Sequence, residues 1–264
     1  MALMAMVMRV SDGSLPQPRV SPYILLMRHE VHGLEAFYAS APGLVAQRML
    51  RQGLRGIWPQ LHGMNLLGLG WAMPYLPLWS GQVTRSLALV PAPIASPAPP
   101  PPAAVMPEAL LPLPDLSMDR IILVHALEMV QAPEALLREC WRVLRDDGRL
   151  IVVVPNRLGA WSLFDHTPFG QGRPWSRGQL WRLLEGRLFR VARMRPALFA
   201  PPLPWPWALT GAAIWEGMGR VALPRLSGVV MAEAVKDVLG AVPLGEGASR
   251  MVRMPPLHGV VKQL

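Results

Sequence analysis

Few side chains in this chain combine a reactive type with a useful spacing, and His125 heads them. It follows the apolar run Ile121 to Val124 and stands three residues before Glu128. An imidazole titrates near neutral pH, so His125 could line a transfer site or act as a base; its plainer role is that of a hydrogen-bonded structural histidine. Glu128 reads more simply as a helix-start or solvent residue than as a catalytic one. Upstream, "MNLLGLGWAMPYLPL" (64–78) is an apolar run that ends in Gly68-Leu69-Gly70 and passes through Trp71 and Ala72 to Pro74. That is either a strand entering a cofactor-holding glycine turn or an ordinary bend. Arg157, Arg173 and Arg177 fall between regular elements, where they either hold an anionic substrate or form a solvated face. Trp161, Trp175 and Trp205 either build a hydrophobic lid or pack in the core. Asp165-His166 is a lone adjacent pair of surface type, and Ser162 and Ser176 lack a nucleophile-elbow context.

Composition narrows the chemistry. Just over half of the 264 residues are hydrophobic and 16% are charged, enough apolar material for one large α/β domain and too little charge for a disordered chain. The formal charge is +9, almost all of it arginine, with Lys236 and Lys262 as the lysines. Such a balance suits nucleic acid, an anionic membrane face or an acidic substrate, or is a plain composition bias. No long arginine run or interleaved aromatic platform accompanies it, so a nucleic-acid partner is not expected. One cysteine, Cys140, excludes an internal disulfide and a cysteine zinc cluster, and the six histidines form no HxH or HxxxH pair, so no metal is expected. The apolar start "MALMAMVMR" carries its charge after the run, unlike a secretory leader. The uncharged stretches 56–84, 86–107 and 196–215 are broken by prolines and do not suit a spanning helix. A cytoplasmic protein is expected, with peripheral membrane contact open through the Trp- and Pro-rich segment 201–215. The oligomeric state is not legible.

The elements that must position these residues follow from periodicity. Residues 1–33 read as a poorly structured lead-in, and 34–264 as a single domain. Residues 34–58 have helical spacing at Val45, Met49, Leu50, Leu54 and Ile57, broken at the start by Pro42-Gly43. Strands are predicted over 64–69 and 83–90. A proline-rich surface loop follows over 91–107, with polyproline character. Next come a strand at Ile121–Val124, a helix over 132–148 with Pro133 and Glu134 at its start and Gly148 as a left-handed stop, and the apolar strand "RLIVVVPN" (149–156). Cys140 lies on the inner side of that helix. Strand, helix and strand with tight joins form a βαβ unit, hence parallel strands. Ser176 and Gln179 have capping-box spacing before a helix to 186. Residues 187–194 alternate like a half-buried strand. The run 226–236 contains a further apolar strand, expected at the far side of the sheet, after an insertion near 196–225.

The segment 111–157, with its Leu-Pro-x-Pro-Asp turn, Asp119 strand, His-x-x-Glu, Arg-x-Leu helix end and Gly148, closely resembles the centre of class I S-adenosylmethionine-dependent methyltransferases of the type 11 family. The resemblance implies an α/β fold, a Rossmann-like and mostly parallel sheet flanked by helices. It also implies S-adenosylmethionine as cofactor and methyl transfer to a small-molecule substrate. In the family's acid-x-Gly-x-Gly-x-Gly motif, Gly68 stands at the acid, Gly70 at the first glycine, Ala72 at the second and Pro74 at the third. The resemblance further points to Glu108 as an adenine contact, with a solvated loop glutamate as its alternative. Leu123, Val124 and His125 would line the cofactor crevice, and Arg157, Arg173 and Trp175 the substrate side. The acid that usually binds the ribose hydroxyls has no counterpart, because residues 36–107 contain no Asp or Glu. A charge-assisted bond of that kind is worth roughly 1.5–3 kcal/mol. The departures leave open a catalytically inactive methyltransferase-like binding or regulatory protein.

Overall fold

A computed structural model describes residues 33–91, 103–107, 110–165, 167–201 and 212–239. Glu108, Trp205 and most of the expected lead-in lie outside the described residues.

Seven strands form one sheet: β1 (Asn65–Gly70), β2 (Arg85–Pro91), β3 (Ala103–Met106), β4 (Met118–Val124), β5 (Leu144–Pro155), β6 (Phe189–Ala197) and β7 (Val229–Lys236), in spatial order β3-β2-β1-β4-β5-β7-β6. The first five run parallel, and β7 is antiparallel to both β5 and β6. The helices are helical residues 33–39 (α1), Ala41–Ile57 (α2), Pro133–Val143 (α3), Arg177–Glu185 (α4) and Ala212–Ala222 (α5). Residues alternate between the two faces of each interior strand. Leu67, Leu69, Ile121, Leu123, Leu150 and Val152 face one apolar layer with Leu136, Leu137 and Cys140 of α3 and Leu180 and Leu184 of α4. Leu66, Ile122, Val124, Ile151 and Val153 face the other, with Met49, Leu50 and Leu54 of α2.

The single helical run expected over 34–58 is two helices. Ser40 breaks it and caps α2, its hydroxyl accepting the Gly43 N–H at 3.3 Å. The joint is tight enough that a Cβ on Gly43 would lie 1.9 Å from the Phe37 carbonyl oxygen. This sharp turn swings α1 over the carboxyl ends of the strands.

Other expectations shift. The helix over 132–148 ends at Val143, because Leu144 leaves it to pair with Met118 and starts a twelve-residue β5. Gly148 therefore caps no helix, and its φ is not left-handed. Within the expected proline-rich loop, Ala103–Met106 form edge strand β3. The 226–236 strand is not at the far side: β7 is inserted between β5 and β6. Burial explains the exchange, since β7 is buried along nearly its whole length whereas β6 alternates and exposes Arg190, Arg193 and Arg195. Charged side chains on an outer strand are the usual protection of a sheet edge. The capping box at Ser176 and Gln179 forms with both reciprocal hydrogen bonds.

Candidate functional site

The chain leaves β1 for β2 and β3 on one side and returns to β4 on the other. The β1–β4 boundary is thus the point where strand order reverses, the usual ligand crevice of an open α/β sheet. Gly70 pairs with Val124 there, at the carboxyl ends of both strands. Gly70 has φ 72°, and a Cβ on it would lie 2.4 Å from the Val124 carbonyl oxygen. Glycine is needed at this turn both for its backbone angle and for close approach to β4. The next amide, Trp71 N–H, donates to Val124 O at 2.7 Å. Gly68 is packed too: its Cβ position is 2.8 Å from the Ala72 methyl carbon and 3.0 Å from Leu76. The acid of the family motif has no room there, and Ala72 is fully buried.

His125 follows β4 with a left-handed φ of 47°, which in a non-glycine residue costs about 1–3 kcal/mol. Its imidazole is buried and held at both nitrogens. Nδ1 lies 3.0 Å from Glu128 Oε1, and Nε2 lies 2.8 Å from the Tyr38 hydroxyl on α1. The Glu128 side chain is fully buried, so the solvent role expected for it does not hold. Tyr75 donates to the Tyr38 oxygen at 3.5 Å, which leaves the Tyr38 proton for His125 Nε2 and puts the imidazole proton on Nδ1, facing Glu128. Burial first, then the neighbouring Tyr75 and Glu128, pushes the Tyr38 phenol well above its ordinary value, so this proton stays in place. Burial likewise raises Tyr75, against the opposing pull of Tyr38 and Arg51. The result is a buried hydrogen-bonded chain Tyr75–Tyr38–His125–Glu128.

Aromatic rings enclose this chain. Tyr38 stacks on Trp71 with centroids 5.9 Å apart, Phe169 lies 4.8 Å from the imidazole, and Phe37 meets Phe169 and Trp161 edge-on. Leu34, Tyr38, Val90 and Met129 form a small apolar cluster of their own. Val90, near the end of β2 where the family carries its ribose acid, is 5% exposed and belongs to that cluster. Three polar atoms in the surrounding segments are buried without partners: Trp71 Nε1, Glu128 Oε2 and Gln171 Oε1.

The substrate-side candidates sit together. Arg173 N–H donates to Glu128 O at 3.0 Å, and its guanidinium lies 5.2 Å from the centre of the Trp175 ring system. Arg157 N–H donates to Trp175 O at 3.1 Å. Both arginines are exposed, whereas Trp175 is buried in the core, as is Trp161, whose Nε1–H donates to Ala200 O. Leu123 and Val124 point into opposite core layers and meet the crevice through backbone. Ser162 and Ser176 spend their hydroxyls on local turns and caps, and Asp165 is exposed. Among the described residues no cluster of His, Cys, Asp or Glu could hold a metal, and no helix is long and apolar enough to cross a membrane. Sequence reasoning missed Tyr38, Tyr75 and Phe169. The available signal was rarity, since the chain has three tyrosines and two meet here.

Strand order, the reversed β7 and the glycine turn at the switch point define a Rossmann-like class I methyltransferase fold. Residues 97–152 match the family model described as a methyltransferase domain. The chain is similar to an S-adenosylmethionine-dependent methyltransferase of Thermotoga maritima, with 18% identity over 80% of this chain and all of that one, at a TM-score of 0.52. It is also similar to one of Archaeoglobus fulgidus, with 19% identity over 72% of this chain and 94% of that one, at a TM-score of 0.50. No curated protein matches the sequence.

The fold and the arrangement at its switch point differ in one respect. Tyr38, Trp71 and Leu34 pack over the carboxyl ends of β1 and β2, beside the Gly70 turn. Among the described residues the end of β2 carries Val90 and Pro91, not a carboxylate.

Proposed function

We propose that this protein is an S-adenosylmethionine-dependent methyltransferase for a small molecule, with α1 as a cover over its crevice. The observation that carries the reading is the parallel pairing of Gly70 with Val124 at the point where strand order reverses. The cofactor would enter where Tyr38 and Trp71 now stack, after α1 lifts. Gly70, Ala72, Leu123, Val124 and His125 are its nearest neighbours in this reading, with Arg157, Arg173 and Trp175 toward the substrate. In-line methyl transfer needs mainly positioning and exclusion of water. The chain's own contribution is a histidine whose Nδ1 is held by Glu128 and whose Nε2 is uncovered when Tyr38 withdraws. His125 could take a proton from an acceptor once Tyr38 has withdrawn.

A second reading is favoured by the packed Gly68 and the missing ribose acid: a methyltransferase fold kept for binding or regulation. Titration calorimetry with S-adenosylmethionine and with S-adenosylhomocysteine separates the two. Heat and a thermal shift with both ligands support the enzyme. Silence at millimolar ligand, with Tyr38→Ala equally silent, overturns it.

A further inference from the structure

We propose that α5, the short turn after it and the neighbouring 157–163 loop form a docking face for an anionic lipid bilayer. A surface helix normally turns its apolar stripe inward and its charges outward. α5 does the reverse. Its carboxylate, Glu216, is buried and accepts the backbone N–H groups of Leu198 and Phe199 at 3.2 and 2.9 Å. Gly219 lies against Phe199, with its Cβ position 2.4 Å from the ring. These two residues hold the helix to the end of β6. On the opposite side, Ile214, Met218 and Val221, spaced i, i+4 and i+7, are 67%, 61% and 86% exposed. The chain then exposes Leu223 and Leu226 at 55% and 50%.

The second segment adjoins the first. Asn156 Nδ2 donates to Arg225 O and Ser227 O at 2.9 and 2.8 Å, and Gly159 packs on Ser227. Leu158 is 60% exposed beside them. Exposed aliphatics on two adjoining segments exceed the scattered surface leucines of an ordinary monomer.

Charge selects the occupant. Residues 186–232 hold six arginines and one carboxylate, and that carboxylate is the buried Glu216. Arg157 and Arg225, at the margin of the apolar face, are both exposed. Apolar side chains flanked by arginine, on segments 157–163 and 212–226 whose one acid is the buried Glu216, match an anionic interface, where lipid tails take the aliphatics and headgroups the guanidiniums. The proposal stands on this surface alone and does not depend on methyl transfer.

The test is vesicle flotation of the full chain without added cofactor, on phosphatidylcholine vesicles with and without phosphatidylglycerol. The proposal expects binding to the phosphatidylglycerol vesicles that weakens with salt. M218E/V221E should weaken it by more than about tenfold and R225E by about fivefold, with unchanged thermal unfolding. Three results would overturn it: no flotation, equal flotation with neutral vesicles, or unchanged binding by M218E/V221E. So would a dimer in solution that M218E/V221E dissociates while vesicles stay unbound, since the face would then belong to a second copy of the chain.

Discussion

The Tyr38 hydroxyl meets Nε2 of His125 at 2.8 Å across 87 positions of chain. This contact ties α1 to the end of β4, directly over the crevice where the fold would hold its cofactor. The same contact fixes the imidazole tautomer and, in the proposed reading, must break for the cofactor to enter, so changes at Tyr38 act on stability and on binding in opposite directions.

Tyr38→Phe removes the donor and leaves His125 Nε2 buried without a partner. It should destabilise the protein by about 1–3 kcal/mol, read from urea midpoints. Tyr38→Ala should loosen α1 further. If closure holds the binding-competent fraction low, apparent affinity for S-adenosylmethionine should rise by roughly tenfold, as calorimetry would record. Unchanged affinity in Tyr38→Ala would show that α1 does not compete with the cofactor.

Gly68→Asp restores the acid of the family motif, yet it should not restore cofactor chemistry. The new Cβ meets Ala72 and Leu76 at 2.8 and 3.0 Å. Overpacking of this kind costs typically about 1–3 kcal/mol, and an unpaired buried carboxylate adds to it. The expected outcome is a lower unfolding midpoint and no gain in calorimetric affinity.

Glu233 offers a check by pH. Its side chain is 1% exposed and accepts from Trp58 Nε1 at 2.8 Å, with Arg149 and Arg193 alongside. Burial by itself would raise this carboxyl. The hydrogen bonds from Trp58 and Arg193, the Arg193 charge and the Arg149 bond outweigh it, and the carboxyl ends below its ordinary value. A carboxyl depressed on folding contributes stability above its unfolded value, near pH 4, and loses it as pH falls through the depressed value. Glu233→Gln should therefore cost about 1–3 kcal/mol at neutral pH and flatten the acid limb of the stability curve. Melting temperatures across pH 2–7 in both proteins would reveal a parallel limb if the assignment is wrong.

Cys140 is fully buried on α3, and burial pushes its thiol well above the ordinary value. A thiol reagent should leave the native protein unlabelled at neutral pH and react only as urea unfolds it. Labelling well before the spectroscopic transition would mean that α3 opens locally.

The βαβ unit from β4 to β5 was legible in the residues themselves. Its apolar runs are long, Pro133 and Glu134 mark the helix start, and the joins are too short for an antiparallel return. The Ser176 cap was legible for the same reason, since both partners lie within four residues. His125 and Glu128 could be paired in principle from their spacing, but their burial could not be read from it.

What spacing did not carry was everything set by distant segments. Leu144 ends α3 early because Met118 offers it a strand partner. β7 takes an interior place because it is buried along nearly its whole length, with Glu233 paired to Arg149 and Arg193, while β6 exposes its arginines, a competition no local window records. The glycine turn was visible, but its use was not. Gly70 gives room to the Val124 carbonyl, and Tyr38, just before the sharp joint at Gly43, reaches across to His125. Local propensity is settled over a few residues, whereas the partners of a crevice side chain come from segments far away in sequence. That is why the fold could be read along the chain and the contact of Tyr38 with His125 emerged only when the chain was folded.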